Sequence, residues 1–310
     1  MWAYHHRLYR AVYTFLVTLA DKTSMSDFDD YSMLDFDEQN TTPEKKEYAP
    51  DPITQNVKKL IIERLASDAE RVYYQRQFEV IFEKQFFHWV TDRAIRELTA
   101  ERKIKIEFIK IQVNGHQDLV KLITNKHNRY FRRSSKRVVE LIKEYSHPSV
   151  TRDVGLWGQS LFKIAYAARG FQLIGEDTNE YKEKKWRQSK KNLDFILEKE
   201  GKGFGCEVKN TLGYMEREEW EEKIKICNFL GITPIFIVRY SPTVWNYEIF
   251  KLKGLVHIFR EQVYPPGKKI LVDRMKIEND LPVMVSEKVP DGVMAPILKV
   301  IDKRILGKKL

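Results

Sequence analysis

Residues 192–210 constrain the fold of this chain more than any other stretch, because they hold two β-forming runs on either side of a glycine-containing turn. Leu193–Leu197 and Phe204–Val208 are rich in aliphatic and aromatic residues, and Gly201–Gly203 lies between them. Such runs around closely spaced glycines are typical of a β-hairpin. We therefore expect a two-stranded ribbon that turns near Lys202.

The ribbon is expected to carry two acids and one lysine on the same face. Side chains alternate between the two faces of a strand, so Glu207 and Lys209 point to one side, about 6–7 Å apart. With a turn near Lys202, Asp194 lies across from Lys209 on that face. The opposite face is apolar and carries four side chains: Phe195, Leu197, Cys206 and Val208.

Two neighbouring carboxylates and a lysine suit metal-dependent hydrolysis of a phosphodiester. Mg²⁺ prefers oxygen ligands, makes its bound water more acidic, and leaves a nearby lysine to stabilise the charged phosphate. The alternative interpretation is a solvated hairpin with ordinary surface charges, since acid-x-Lys tripeptides recur at Glu44–Lys46, Glu183–Lys185 and Glu221–Lys223. The tripeptide at Glu207–Lys209 differs from these because it lies inside an apolar strand with a matching aspartate upstream.

The segments around the hairpin complete an α/β pattern. Apolar periodicity and continuous apolar runs predict two helices and two buried strands. The helices are Gly155–Arg169 and Glu216–Leu230, and the strands are Phe171–Ile174 and Ile232–Val238. The expected element order is α-β-β-β-α-β, with the acids on the second and third strands.

These acids and the lysine, in this element order, resemble the active-site motif of the PD-(D/E)xK nuclease superfamily. The matching residues are Asp194 and Glu207–Lys209, and Leu193 stands where the motif name has proline. The resemblance covers roughly residues 150–240. It implies that Asp194 and Glu207 ligate Mg²⁺ or Mn²⁺, that the Val208 carbonyl joins them, and that Lys209 assists catalysis.

Many members of that superfamily add a glutamate from the first helix, and the corresponding position here is Gln159. An amide oxygen is a neutral and weaker ligand for a hard cation than a carboxylate. Gln159 is therefore a candidate catalytic residue, and it leaves open whether the core is an active enzyme or a degenerate one.

Residues 51–127 predict a mainly helical domain in front of this core. Helical spacing begins at Pro52, and a second helical stretch starts with Val72. A third, short helix is capped by Thr91, and a strand-like alternation begins at Ile104.

Helix, turn, basic helix and strand in this order resemble a winged helix-turn-helix DNA-binding domain. Arg93 and Arg96 face outward on the third helix, which in such a module enters the major groove. The alternative interpretation is a small helical scaffold packed on the neighbouring domain.

The net charge of +10 favours polyanionic partners, with nucleic acid first. Two more basic segments are candidate DNA contacts. They are a connector helix in residues 128–154, with Arg129, Arg132 and Arg133, and a loop before Asp194, with Lys184, Lys185, Trp186 and Arg187. Arginine pairs with phosphate oxygens in bidentate fashion, whereas a solvated helix face and a mobile charged loop are the plainer alternatives.

The remaining segments carry no evident chemistry. Residues 1–50 are expected to be an N-terminal extension and acidic linker, and the apolar run Ala11–Ala20 is too short to span a bilayer. The domain from residue 155 to 310 ends in a tail that extends the sheet, contacts DNA or forms a homodimer, with Trp245–Phe250 predicted as a strand. Two cysteines without a disulfide pattern indicate an intracellular, cytoplasmic protein.

Two hypotheses of different classes follow from these patterns. The first is a Mg²⁺-dependent endonuclease acting on duplex or branched DNA. The second is a non-catalytic winged-helix DNA-binding protein with a degenerate nuclease core. A membrane-surface protein is a third, supported only by the N-terminal apolar run.

Overall fold

The structure is a computed structural model that describes residues 51–113 and 116–308. The predicted extension and linker in residues 1–50 lie outside these ranges, so that part of the sequence analysis stays a prediction. The helices are α1 (Pro52–Ser67), α2 (Gln75–Phe82), α3 (His88–Ala100), α4 (Phe131–Tyr145), α5 (Pro148–Ala167), α6 (Arg217–Leu230), α7 (Thr243–Lys251), α8 (Lys269–Asn279) and α9 (Asp291–Val300). The strands are β1 (Val72–Tyr74), β2 (Ile104–Val113), β3 (His116–Asn125), β4 (Gln172–Thr178), β5 (Glu180–Tyr181), β6 (Lys184–Lys185), β7 (Leu193–Lys199), β8 (Lys202–Lys209), β9 (Thr233–Val238), β10 (Leu255–Ile258), β11 (Gln262–Tyr264) and β12 (Val283–Val285).

The N-terminal third combines α1, α2 and α3 with an antiparallel sheet of order β1-β3-β2. Asp51 caps α1 by accepting hydrogen bonds from the Ile53 and Thr54 amides, both at 3.2 Å. Val72 was expected in a helix, but it begins β1 and pairs with Thr124 of β3. Val-Tyr-Tyr is a β-branched and aromatic run, and strand pairing outweighs the helical spacing there.

A five-stranded mixed sheet of order β10-β9-β8-β7-β4 forms the centre of the larger region. Strands β4, β7 and β8 are antiparallel neighbours, whereas β8, β9 and β10 run parallel. The predicted α/β class is confirmed. The predicted end of α6 at Leu230 is also confirmed, and Gly231 follows it with a φ of 76°, the left-handed conformation that glycine favours.

The β7–β8 hairpin turns earlier than expected, so that its register differs by two residues along β8. Lys199 pairs with Lys202, and Phe195 pairs with Cys206 as the last pair of the ladder, so this register continued by one residue sets Asp194 across from Glu207. The prediction that Asp194 lies across from Lys209 is therefore wrong. A shift of two residues keeps every side chain on its face, because the side-chain period of a strand is two.

Apolar side chains cover both faces of this sheet. On one face α5 and α9 pack against the predicted apolar set of the hairpin, including Phe195 and Cys206. On the other face α6 packs against Ile196, and α7 and α6 together cover Phe236. The acids of the hairpin thus lie at the end of a sheet that is buried between helices.

The C-terminal tail differs in one element from its prediction. Trp245–Phe250, expected as a strand, lies within helix α7. Pro242 precedes this helix, and Ile249 is its buried residue, which packs toward the sheet.

In the part of the chain that the structure describes, no helix is both long and apolar enough to cross a bilayer. The described residues form one compact unit, and the predicted domain boundaries at residues 127 and 154 stay predictions.

Candidate active site

Asp194 is held at both of its carboxylate oxygens. Its Oδ2 accepts a hydrogen bond from the Val208 amide at 2.6 Å, and its Oδ1 accepts one from Gln159 Nε2 at 2.9 Å. The Val208 bond fixes the carboxylate across the end of the β7–β8 ladder. Gln159, on α5, therefore contacts Asp194 directly.

Close packing of α5 on the end of β8 sets the position of Gln159. A Cβ atom on Gly158 would lie 2.7 Å from the Asn210 Cβ, so only glycine allows this approach. The Asn210 amide nitrogen donates to the carbonyls of Val154 at 2.8 Å and Val263 at 2.6 Å. Asn210 thus joins α5, the end of β8 and β11 at one buried point.

Glu207 is buried and forms an ion pair with a residue that the sequence analysis did not select. Its Oε2 lies 2.7 Å from Nζ of Lys223 on α6, and the Lys223 ammonium also donates to the Asn192 carbonyl. Burial, followed by the nearby Asp194 charge, raises the pKa of Glu207 to about 7, and Lys223 opposes this shift. Lys223 is the principal counter-charge of this acid.

Lys209 is directed to the same helix. Its ammonium pairs with Glu219, one turn before Lys223 on α6. Residues four apart lie on one helix face. Glu219 can therefore pair with Lys209 while Lys223 pairs with Glu207, so that each charged residue of the strand has an oppositely charged partner on α6. Burial raises the pKa of Asp194, and the Val208 amide, Lys223 and Lys209 oppose that shift.

The donor chemistry of the pair fits a hard divalent cation. Among residues 51–113 and 116–308, no group of three or more His, Cys, Asp and Glu side chains is arranged to hold a metal ion. Mg²⁺ nevertheless commonly uses one or two carboxylates and completes its shell with water. The raised pKa values of Asp194 and Glu207 reflect burial of negative charge, which a bound cation would compensate.

The predicted DNA contacts are distributed over several elements. Arg93 and Arg96 are exposed on α3, where they pair with Glu97 and Asp92, each at 3.1 Å. The other exposed cations of the predicted set are Arg129, Arg132, Arg133, Lys184, Lys185 and Arg187. Of these, Lys185 forms an ion pair with Glu180.

Trp186 does not belong to that exposed set. Only 5% of it is exposed, it packs with Phe229, and its indole N–H donates to Ser189 Oγ at 3.0 Å. An indole enclosed in this way cannot stack on a DNA base, so its prediction as a DNA contact is corrected to a core role. Aromatic burial between β6 and α6 outweighs the basic character of the surrounding sequence.

Lys223, Glu219 and Asn210 are the site residues that sequence reasoning missed. Lys223 belongs to the Glu221–Lys223 tripeptide, which resembles the other acid-x-Lys tripeptides of the chain. The signal that distinguishes it is the spacing of Glu219 and Lys223 on a predicted amphipathic helix that follows the motif strand. Four residues along a helix and two residues along a strand both span about 6–7 Å, so Glu219 and Lys223 are spaced to meet Lys209 and Glu207.

Comparison of the chain with protein-family models, with curated protein sequences and with solved structures gives no match.

Proposed function

We propose that this chain is a metal-dependent DNA endonuclease of the PD-(D/E)xK type. The observation that carries the proposal is the position of Asp194 and Glu207 just beyond the last pair of the β7–β8 ribbon, Phe195 with Cys206. Glu207 and Lys209 both pair with α6 beside them. Gln159 reaches Asp194 from the preceding helix. Apart from the separate two-stranded β5–β6 ribbon that lies between β4 and β7 in the chain, the order α5-β4-β7-β8-α6-β9, in which β9 runs parallel to β8, also supports it.

The proposed roles follow from the position and charge of each side chain. Asp194, Glu207 and the Val208 carbonyl would hold Mg²⁺ or Mn²⁺, which when bound supplies an acidic water and positive charge beside the phosphate. The Lys209 ammonium would stabilise negative charge that develops on the phosphate oxygens. Gln159 would orient a water molecule through its amide.

DNA is the proposed polyanion because of the N-terminal region and the charge of the chain. The order α1-β1-α2-α3-β2-β3, with strand order β1-β3-β2, supports a winged-helix module. In that arrangement α3 would present Arg93 and Arg96 to the duplex, and the net charge of +10 favours the approach of any phosphate backbone.

One observation favours the second candidate, a non-catalytic DNA-binding protein with a degenerate nuclease core. Both oxygens of Asp194 accept hydrogen bonds, and Glu207 and Lys209 each pair with a partner on α6. Each charged group of the site therefore already has a partner within the protein itself.

The two candidates are separated by a cleavage assay on the full chain. Plasmid, linear and branched DNA are incubated with the protein, with and without Mg²⁺. Asp194→Asn and Glu207→Gln should each reduce cleavage by about 10²-fold or more, because charge stabilisation at the reacting phosphate is removed, while DNA binding is retained. Glu200→Gln, at the exposed turn of the same hairpin, is the control and should cleave like the wild type. Full activity in either site variant would remove the carboxylates from the mechanism, and DNA binding without cleavage by the wild type would favour the second candidate.

A further inference from the structure

Lys223 lies where a cation bound by Glu207 would be expected. Its Nζ is 2.7 Å from Glu207 Oε2, and the side chains of the two residues are 10% and 8% exposed. The ammonium also donates to the Asn192 carbonyl, next to the strand that carries Asp194. Lys223 therefore contributes positive charge to both carboxylates from inside the protein.

The neighbouring pair is different in exposure. Lys209 and Glu219 have side chains that are 32% and 28% exposed, so water screens their interaction more strongly. A buried charge interacts much more strongly with its surroundings than one in contact with water. Of the two lysines at the site, Lys223 thus has the larger influence on the charge of Glu207.

A divalent cation on Glu207 and the Lys223 ammonium would repel each other at contact distance. Both take oxygen atoms as partners, and both are attracted to the same carboxylate. The four-carbon side chain of lysine is flexible, so the ammonium can move away from Glu207.

We propose that Lys223 is a built-in counter-cation of the site, which competes with the divalent metal ion for Glu207 and thereby weakens metal binding. This inference rests on the proposed metal site, and it adds a form of regulation to it. Without metal, Lys223 neutralises the buried acid and keeps the hairpin and α6 together. The site is loaded only when the concentration of the cation is high enough to displace the ammonium.

The test measures binding of Mn²⁺ alone to the full chain by calorimetry, without DNA. Lys223→Gln removes the charge but keeps a donor for the Asn192 carbonyl. Lys225→Gln is the matched control, because Lys225 is exposed two residues further along the same helix. We expect Lys223→Gln to bind Mn²⁺ at least about tenfold more tightly than the wild type, since a positive charge within a few ångströms of the ion is removed. The control should remain within about twofold of the wild type, because solvent and salt screen an exposed charge.

Thermal unfolding with and without Mn²⁺ provides a second readout. The rise in Tm on adding Mn²⁺ should be larger for Lys223→Gln than for the wild type, since tighter binding to the folded state adds stability. If Lys223→Gln does not fold, Lys223→Met is measured in its place with the same expectation.

The outcomes separate this inference from the proposed function. Equal Mn²⁺ affinity in the wild type, Lys223→Gln and Lys225→Gln, or no binding by any of them, overturns the role of Lys223. Tighter binding by Lys223→Gln alone supports it, even if the wild type cleaves no DNA and the proposed enzyme activity fails. Cleavage that depends on Asp194, together with equal metal affinities, would keep the enzyme and remove the counter-cation.

Discussion

Gln159 occupies the place beside Asp194 where a third carboxylate would strengthen a cation site. Its amide nitrogen lies 2.9 Å from Asp194 Oδ1, so it stabilises that carboxylate by donating a hydrogen bond. A metal ion on Asp194 would instead need an oxygen from this residue, which rotation of the amide by half a turn provides. Gln159 can therefore contact Asp194 without a metal ion and ligate a metal ion bound there, although it brings no formal charge.

Replacing Gln159 with glutamate should make the protein depend on Mg²⁺ for its stability. In buffer with a chelator, Gln159→Glu lacks the donor to Asp194 and brings a third acid to the site, so we expect a decrease of about 1–3 kcal/mol in the free energy of unfolding. With Mg²⁺ this stability should be recovered, because added ligand charge raises affinity for a hard cation. Thermal unfolding with and without Mg²⁺ measures both effects.

Gln159→Met is the control, because it removes the donor and adds no charge. It should be destabilised in both buffers, with no recovery on adding Mg²⁺. In the cleavage assay Gln159→Ala should lose less activity than Asp194→Ala. Identical Mg²⁺ dependence in the wild type and Gln159→Glu would show that Gln159 lies outside any metal site.

At the scale of elements, α3 carries two of the exposed cations that are predicted to contact DNA. Arg93 and Arg96 lie on α3, and each pairs with an acid of its own helix, Glu97 or Asp92. Pairs of this kind on an exposed surface contribute little stability, so the arginines can exchange their partners for phosphate oxygens.

Neutralising α3 should weaken binding to DNA of any sequence and flatten its dependence on salt. For Arg93→Gln with Arg96→Gln, the slope of log affinity against log salt should fall by about 0.9 for each duplex phosphate that the helix no longer neutralises. Arg93→Lys with Arg96→Lys is the charge-conserving control and should keep the slope. Binding titrations between low and moderate salt measure it, and an unchanged slope in the glutamine variant would mean that α3 does not touch the backbone.

For the whole molecule, the buried His257 connects three elements and makes stability depend on pH. Its Nδ1 lies 3.0 Å from the Tyr166 hydroxyl of α5, and its Nε2 lies 3.0 Å from the Val293 carbonyl of α9. Burial lowers the pKa of His257 from 6.5 to about 4, because the charged imidazole is poorly solvated there.

His257 should therefore contribute a loss of stability as the pH falls from 6.5 to 4, whereas Glu207, whose pKa is raised to about 7, contributes in the opposite direction over much of that range. In that range the unfolded chain binds a proton at His257 and the folded chain does not, so unfolding takes up a proton. The decrease in the free energy of unfolding from this residue amounts to about 3 kcal/mol. Chemical denaturation at several pH values isolates this contribution as a difference: between pH 6.5 and 4 the free energy of unfolding of His257→Gln should change by about 3 kcal/mol less in the destabilising direction than that of the wild type, whereas Tyr166→Phe keeps the imidazole and should follow the wild type. Equal slopes in the wild type and His257→Gln would contradict this assignment.

Short-range patterns in the sequence were sufficient to predict the hairpin, its apolar face and the end of α6 at Leu230. They also predicted the α-β-β-β-α-β order apart from the short β5–β6 ribbon. These features depend on alternation along a strand, on helical spacing and on the conformational freedom of glycine, all of which act within a few residues. The same patterns placed Glu207 and Lys209 on one side, where both pair with α6, whereas Asp194 is held by Gln159 of α5 and the Val208 amide. They also misjudged the register by two residues.

The partners of these residues depend on how distant segments pack, which no local pattern contains. Lys223 reaches Glu207 only because α6 lies along the sheet, and Trp186 is buried only because Phe229 of that helix meets it. The buried pair of Glu83 and Arg239, with Arg239 Nη2 2.7 Å from Glu83 Oε2, likewise joins residues far apart in the chain. Tertiary packing sets these distances, and the strength of an ion pair follows from distance and burial together.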